Sequence, residues 1–288
     1  MVGGPHPTRP LTAEEASQGV KLLKPALLAG LVDSLAMEQC LIFCRTNVDC
    51  DSLEAYLTAL GGGQRWRPGM EKGKENAYSA VVLAGMRSMD ERRRNLDAFR
   101  EGTVRFLICT DVAARGLDIK ELPYVINMTL PDEKETETYI HRIGRVGRAD
   151  RVGLAISLVS TVREKVWYHS NCSDRGKGCT NTKPVAEGGC TIQFNEPASL
   201  LAVQRRLQLA GPLPEMEVTV GEGGKYTFTL PASVAALGAV YGGEKHETAG
   251  PNVHVDSIRG AVRSLAALEV RAQSVFLAIQ AKYARPAA

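Results

Sequence analysis

Five short, almost wholly apolar runs limit the fold of this chain more than any other feature. They are Gln39–Cys44, Ser79–Leu83, Arg105–Cys109, Tyr124–Asn127 and Leu154–Val159. Their apolar character is continuous instead of alternating, which marks strands buried on both faces. Between them lie helical patterns. Leu27, Leu28, Leu31 and Leu35 recur at three and four, with Pro25 placed at a first helical position. Asn47 is positioned to cap a helix carrying Val48, Leu53, Tyr56, Leu57 and Leu60, which Gly61-Gly62-Gly63 ends. Ser88, with Glu91 at the capping-box position, starts a charged helix that buries Leu96 and Phe99. Strands alternating with helices predict an α/β fold, a parallel sheet with helices on both faces.

The remaining chain divides around that core. Residues 1–14 read as a linker, and Thr12 to Leu23 is only weakly periodic. The main domain spans 15–210, with an exposed Gly, Lys and Arg-rich loop at 61–78 and a cysteine-containing insertion at 162–194. Asn195-Glu196-Pro197 starts the helix that follows the insertion. Residues 211–288 form an α+β extension expected to pack on the core. It has a hairpin of Met216–Val220 with Tyr226–Leu230, then a helix from about Val255 to Tyr283. No apolar run approaches the ~20 residues that span a bilayer, and Met1–Pro10 has no apolar core of a signal peptide. A soluble, intracellular protein with no membrane partner is expected.

Three arginines recur at three-residue intervals in His141-Arg142-Ile143-Gly144-Arg145-Val146-Gly147-Arg148. On a helix, three arginines at three-residue intervals share one sector of roughly 120° and make a cationic face. Such a face is either solvated or meets a phosphate. The net charge of +3 does not decide between them, because it is too small to imply an anionic partner by itself. Lys225, Lys245, His246, Arg259, Arg263 and Arg271 are more simply read as solvated surface than as part of a nucleic-acid path. In open α/β sheets ligands gather at the carboxyl ends of the strands. Arg45-Thr46, Thr110-Asp111 and the Ala114–Asp118 turn fall there, and the arginine segment is placed to reach the same edge.

Thr110–Ile119 together with His141–Arg148 resembles motifs V and VI of the DEAD-box RNA helicases, and Leu41–Thr46 resembles their motif IV. The resemblance covers roughly residues 15–160 and implies the second, RecA-like domain of such an enzyme. The stretch Glu164–His169 with the cysteines after it resembles one branch of that family more narrowly. By resemblance, Arg145 and Arg148 are arginine fingers that reach the γ-phosphate of ATP. A finger of this kind is typically worth ~10³ to 10⁵ in rate, because a planar guanidinium offers paired donors to the phosphoryl oxygens. Arg142, with His141, matches positions that couple the arginine segment to a partner domain. Asp118 matches the acid that accepts from the ATP ribose, its alternative being a cap for the next turn, and Gly116 belongs to the same motif. On the RNA side the resemblance implies Thr110, Arg115, Arg45, Thr46, Arg92 and Gly85, which would touch sugar and phosphate without reading bases. Met89 and Ala84 depart from the family pattern beside Arg92 and Gly85.

No G-x-x-x-x-G-K-[ST] loop occurs, since Gly221–Thr227 has its composition but not its spacing, and there is no Asp-Glu-Ala-Asp run. The chain therefore holds half of an ATPase site. ATP with Mg²⁺ is expected to bind mainly to an N-terminal RecA-like domain in cis, and the isolated chain is expected to be inactive. RNA is the implied partner, with a multiprotein RNA-processing complex and a nuclear and cytoplasmic location implied by resemblance. Two other classes stay open: a non-enzymatic RNA-binding adaptor from a truncated gene product, and a DNA-directed helicase of the same superfamily.

Seven cysteines are present. Cys40, Cys44 and Cys109 lie in apolar runs, where reduced thiols pack as small hydrophobes. His169, Cys172, Cys179 and Cys190 are spaced H-x₂-C-x₆-C-x₁₀-C in a polar, Gly-containing segment. That set suits structural Zn²⁺, a reduced β-hairpin insertion or a disulfide.

Overall fold

The computed structural model describes residues 11–235, apart from 69, 71–74, 86, 115–118, 120–121, 148–152, 170–171, 175–177 and 209–210. The described residues all belong to one compact unit. The helix expected at 255–283 and the cations Lys245, His246, Arg259, Arg263 and Arg271 lie outside the described residues.

Five parallel strands make the central sheet: β1 (Cys40–Phe43), β2 (Ala80–Leu83), β3 (Phe106–Cys109), β4 (Tyr124–Asn127) and β5 (Leu154–Ser157). Their order is β2-β3-β1-β4-β5. Every residue of β1 to β4 is buried, which is why these strands read as unbroken apolar runs. The pleat sends Cys40, Ile42, Phe106 and Ile108 into one core. That core also holds Leu28 and Leu31 of α1 (Ala13–Ser34) and Leu53 and Leu57 of α2 (Asn47–Leu60). Leu41, Phe43, Leu107 and Cys109 enter the other, with Leu96 and Phe99 of α3 (Met89–Arg100). Short helices α4 (Asp111–Ala114) and α5 (Thr136–Ile143) follow β3 and β4.

Three helix boundaries differ from the sequence reading. Helix α1 starts at Ala13, capped by the reciprocal Thr12 and Glu15 pair, so Pro25 lies inside it and not at its start. Its first half looked weakly periodic because two of its buried residues are polar. Ser17 Oγ accepts from the Lys165 amide at 2.9 Å, and Lys24 is buried among carboxylates. For α2 the cap is Thr46, one residue before Asn47, because Thr46 exchanges hydrogen bonds with Asp49. Helix α5 stops at Ile143 with Gly144 as its C-cap, and Gly147 adopts φ +92°. Arg145 is therefore on a turn. The cationic helix face expected from three arginines does not form, and Arg142 is buried.

The insertion is anchored. Its strands β6 (Glu164–Trp167) and β7 (Thr191–Phe194) pair antiparallel and lead into α6 (Glu196–Arg206). Lys24 Nζ sits 2.9 Å from Glu164 and 2.7 Å from Glu196. Glu196 also accepts from the amides of Leu130 at 3.1 Å and Ser160 at 2.6 Å. One carboxylate thus fastens α1, α6 and the segments after β4 and β5. Strands β8 (Glu217–Val220) and β9 (Tyr226–Thr229) form the expected hairpin, and Ala232–Ala235 is a last short helix, α7. The hairpin packs on α1 at Gly30, where a Cβ would meet the Tyr226 carbonyl oxygen at 2.7 Å. Phe228 fills the core beside it, and its amide donates to Ser34 Oγ at 3.0 Å.

Lys24→Met leaves two buried carboxylates without their counter-ion. The expected cost is roughly 3–5 kcal/mol, read as a lower urea midpoint at unchanged slope. A midpoint shift within error would remove this cluster from the supports of the fold.

Candidate functional site

The carboxyl ends of β3, β1 and β4 are gathered by one side chain. Arg142 reaches in from α5 with Nε 2.6 Å from Asp111 Oδ1 and Nη2 2.7 Å from Oδ2, a bidentate pair. Its Nη1 donates to Asn127 Oδ1 at 2.9 Å and to the Thr129 carbonyl at 2.6 Å. The guanidinium carbon stands 5.0 Å from the centre of the Phe43 ring. Arg142 is 2% exposed and Asp111's side chain 26%. Arg142's charge is therefore spent inside the protein, where it fixes α5 to the sheet edge.

Arg145 is placed differently. Its Nη1 donates to the Ile119 carbonyl at 3.2 Å, and its own carbonyl accepts from the Leu122 amide at 3.0 Å. The Gly147 amide returns a bond to the Leu122 carbonyl at 3.0 Å, so residues 145–147 lie beside Ile119 and Leu122. Gly153 permits this approach, since a Cβ there would stand 2.5 Å from Val146 Cγ1. The turn after α5 is thereby moored to Ile119 and Leu122. Arg115, Gly116, Asp118 and Arg148 lie outside the described residues. Arg145 is half-buried and His141 exposed.

The other candidates divide. Thr110 is buried, and its carbonyl starts α4 by accepting from Ala114 at 3.0 Å. Gly85 is exposed just past β2, with open space where a Cβ would be. Arg92 is half-buried, and its Nε has no hydrogen-bond partner among the described residues. Thr46 is engaged as the α2 cap. Arg45 lies under the insertion, its guanidinium 3.4 Å from the centre of the Phe194 ring, with a buried Nη2 that has no partner among the described residues. Sequence reasoning did not assign roles to Asp111 and Asn127. A polar residue closing the apolar run Tyr-Val-Ile-Asn was the available signal for Asn127. For the pairing of Lys24 with Glu196, 172 positions away, no local signal exists.

Cys40, Cys44 and Cys109 are unpaired and buried. Burial pushes the Cys40 and Cys109 thiols well up, and Cys44 rises through its hydrogen bond with Cys50 and through burial. They are inert packing groups. His169, Cys172, Cys179 and Cys190 converge, with one ligand atom from each lying within 4.8 Å of the others. The insertion is thus a hairpin whose tip gathers these four side chains, and none of the cysteines is in a disulfide.

The chain matches the helicase conserved C-terminal domain over residues 23–150. It is 44% identical over 269 residues to the ATP-dependent RNA helicase DDX1 of Xenopus laevis, covering 92% of this chain and 33% of the relative. It is 45% identical over 266 residues to the ATP-dependent RNA helicase Ddx1 of Drosophila melanogaster, at the same coverages. The chain spans about one third of the length of these curated relatives. Among solved structures, the E. coli DEAD-box protein SrmB bound to regulator of ribonuclease activity A aligns with a TM-score of 0.39 and 32% identity. That alignment covers 48% of this chain and 71% of the other.

Arg142→Met strands Asp111 and Asn127 and is expected to cost about 3 kcal/mol or more in urea unfolding. Arg145→Met, on the turn, is expected to cost no more than about 1 kcal/mol. Equal losses at the two positions would contradict the division of labour drawn from their surroundings.

Proposed function

We propose that the chain is a member of the DEAD-box RNA helicases and works as the C-terminal catalytic half of an ATP-dependent RNA helicase, a reading supported by its match to the helicase conserved C-terminal domain and by its similarity to the DDX1 helicases. The observation that carries this reading is the mooring of the Arg145 turn against Ile119 and Leu122. Ile119 follows Asp118 in the sequence, and a guanidinium held there suits the spread charge of a transferring phosphoryl group. Arg145 and Arg148 would act as the fingers, Asp118 and Gly116 would face the nucleoside, and Arg142 would hold the segment in place through Asp111. ATP with Mg²⁺, held mainly by an N-terminal RecA-like domain in cis, supplies the phosphoryl group when the two domains meet.

RNA is the second ligand in this reading. Thr110, Arg115, Gly85 and Arg92 would meet its sugar-phosphate chain without base preference. Thr46, through the first turn of α2, and Arg45, beneath Phe194, would contribute at the margin of that path. Work within a multiprotein RNA-processing assembly, in nucleus and cytoplasm, is part of the same proposal. The zinc considered for His169, Cys172, Cys179 and Cys190 would take no part in the ATP step.

Arg145→Ala in the full-length protein is expected to lower kcat for RNA-stimulated hydrolysis by at least ~10²-fold, with ATP affinity nearly unchanged. Parallel loss of binding and turnover would contradict the finger role. The 288-residue chain alone is expected to turn over no ATP, and robust RNA-stimulated hydrolysis by it would overturn the half-site reading.

A further inference from the structure

The insertion holds four soft ligands that the helicase reading does not use. His169, Cys172, Cys179 and Cys190 bring one ligand atom each to within 4.8 Å of the rest. Tetrahedral Zn²⁺ with sulfur at about 2.3 Å spaces its ligand atoms about 3.8 Å apart. Side-chain adjustments of under about 1 Å therefore close the set around one ion.

Three independent features point to a ligand. His169 Nδ1 is buried and has no hydrogen-bond partner among the described residues, a state that ordinarily costs ~1–3 kcal/mol. His169 also adopts φ +44°, in the left-handed region, and its ring lies parallel to Trp167 at 4° with centroids 4.9 Å apart. The stacking holds the imidazole in one orientation. Finally, the Asn181 amide donates to Cys179 Sγ at 3.4 Å. Outer donors of this kind orient a metal ligand and tune it.

The backbone holds the ligands in register. The Tyr168 amide donates to the Cys190 carbonyl at 2.9 Å, and the Cys190 amide donates to the Asn181 carbonyl at 3.2 Å. Asn181 Nδ2 in turn reaches the Gly188 carbonyl at 3.2 Å. Little apolar packing supports this region: between 168 and 190, only Cys190 is buried among the described residues, and Tyr168 is 55% exposed. A metal would supply the stability that the missing core cannot. Three cysteines cannot all pair within the cluster, so a disulfide would leave one thiol and the histidine unexplained.

We propose that His169, Cys172, Cys179 and Cys190 bind one structural Zn²⁺. Three thiols lose their protons as three Zn–S bonds form, the imidazole adds a Zn–N bond, and no electron is transferred. The closed ligand set leaves no place for substrate, which separates this site from catalysis. Its consequence is mechanical. The hairpin it closes carries Phe194 onto Arg45 and Glu164 onto Lys24, so zinc sets the order of a covering beside the motif IV residues.

The test uses the chain purified without chelator from zinc-supplemented medium. Elemental analysis is expected to give about one zinc per chain. A chromogenic thiol reagent should find three further reactive thiols once a chelator has removed the metal, with Trp167 emission changing in parallel. Replacement by Co²⁺ should give the intense ligand-field bands of a tetrahedral thiolate site. Cys172→Ser should lose the zinc; because loss of a structural metal also weakens folding, the cobalt spectrum and thiol count of the unaltered chain stand as the independent readout. Zinc near zero, with the three thiols equally reactive before and after added zinc under reducing conditions, overturns the proposal. A disulfide among them overturns it as well.

Discussion

The structure around the candidate site depends on where the Arg142 charge goes. A guanidinium at 2% exposure must be matched inside the protein, and Asp111 matches it with two parallel bonds while Asn127 and Thr129 take the remaining donors. Those partners stand at the ends of β3 and β4, with Phe43 of β1 beneath. The net gain from such a buried pair over a well-packed apolar substitute is small, whereas removing one partner is expensive. Its value is therefore specificity of placement. Helix α5 has one position in which the arginine is satisfied, and the turn carrying Arg145 inherits that position.

A second buried charge centre does for the insertion what Arg142 does for α5. Glu196 is fully buried and accepts from two backbone amides as well as from Lys24. Lys24 shares itself with Glu164 at the start of β6. The hairpin is consequently fixed to α1 and to the segments after β4 and β5, close enough for Phe194 to cover Arg45. The covering bears on the proposed RNA binding. An arginine stacked beneath an aromatic ring has little freedom to reach a phosphate, so in that proposal Arg92, Gly85 and Thr110 would carry more of the backbone contact than Arg45.

Legibility in the sequence followed the range of each interaction. Strands β1 to β4 were readable because burial on both faces leaves a one-dimensional signature, an unbroken apolar run. The Ser88 and Asn195 caps were readable for the same reason, since their partners are three residues away. The first half of α1 was not, because Ser17 and Lys24 are buried by partners 148 and 172 residues distant and look like solvent-facing positions. The arginine segment was misread in geometry. Spacing alone suggested a continuous helix face, but Gly144 and Gly147 end the helix and turn the chain. The four-ligand cluster was legible as composition and spacing, while the convergence that makes it a site needed the hairpin register of β6 with β7.

These two ways of holding charge explain how a segment so rich in arginine avoids being a generic anion trap. Three exposed guanidiniums on one helix would attract any phosphate by field strength, with little preference for position. Here Arg142 is neutralised by Asp111, and the helix ends before Arg145. Arg145 is left on a turn that backbone bonds set beside Leu122. Under the proposed function, selectivity of Arg145 for a phosphate would come from where its guanidinium is held, not from charge density. A rigid mooring suits that demand, because a group that must meet a phosphoryl oxygen within hydrogen-bond distance gains most when its position is fixed before the partner arrives. The buried arginine and the arginine on the turn are thus parts of one device, the first giving up its charge so that the second has a defined place.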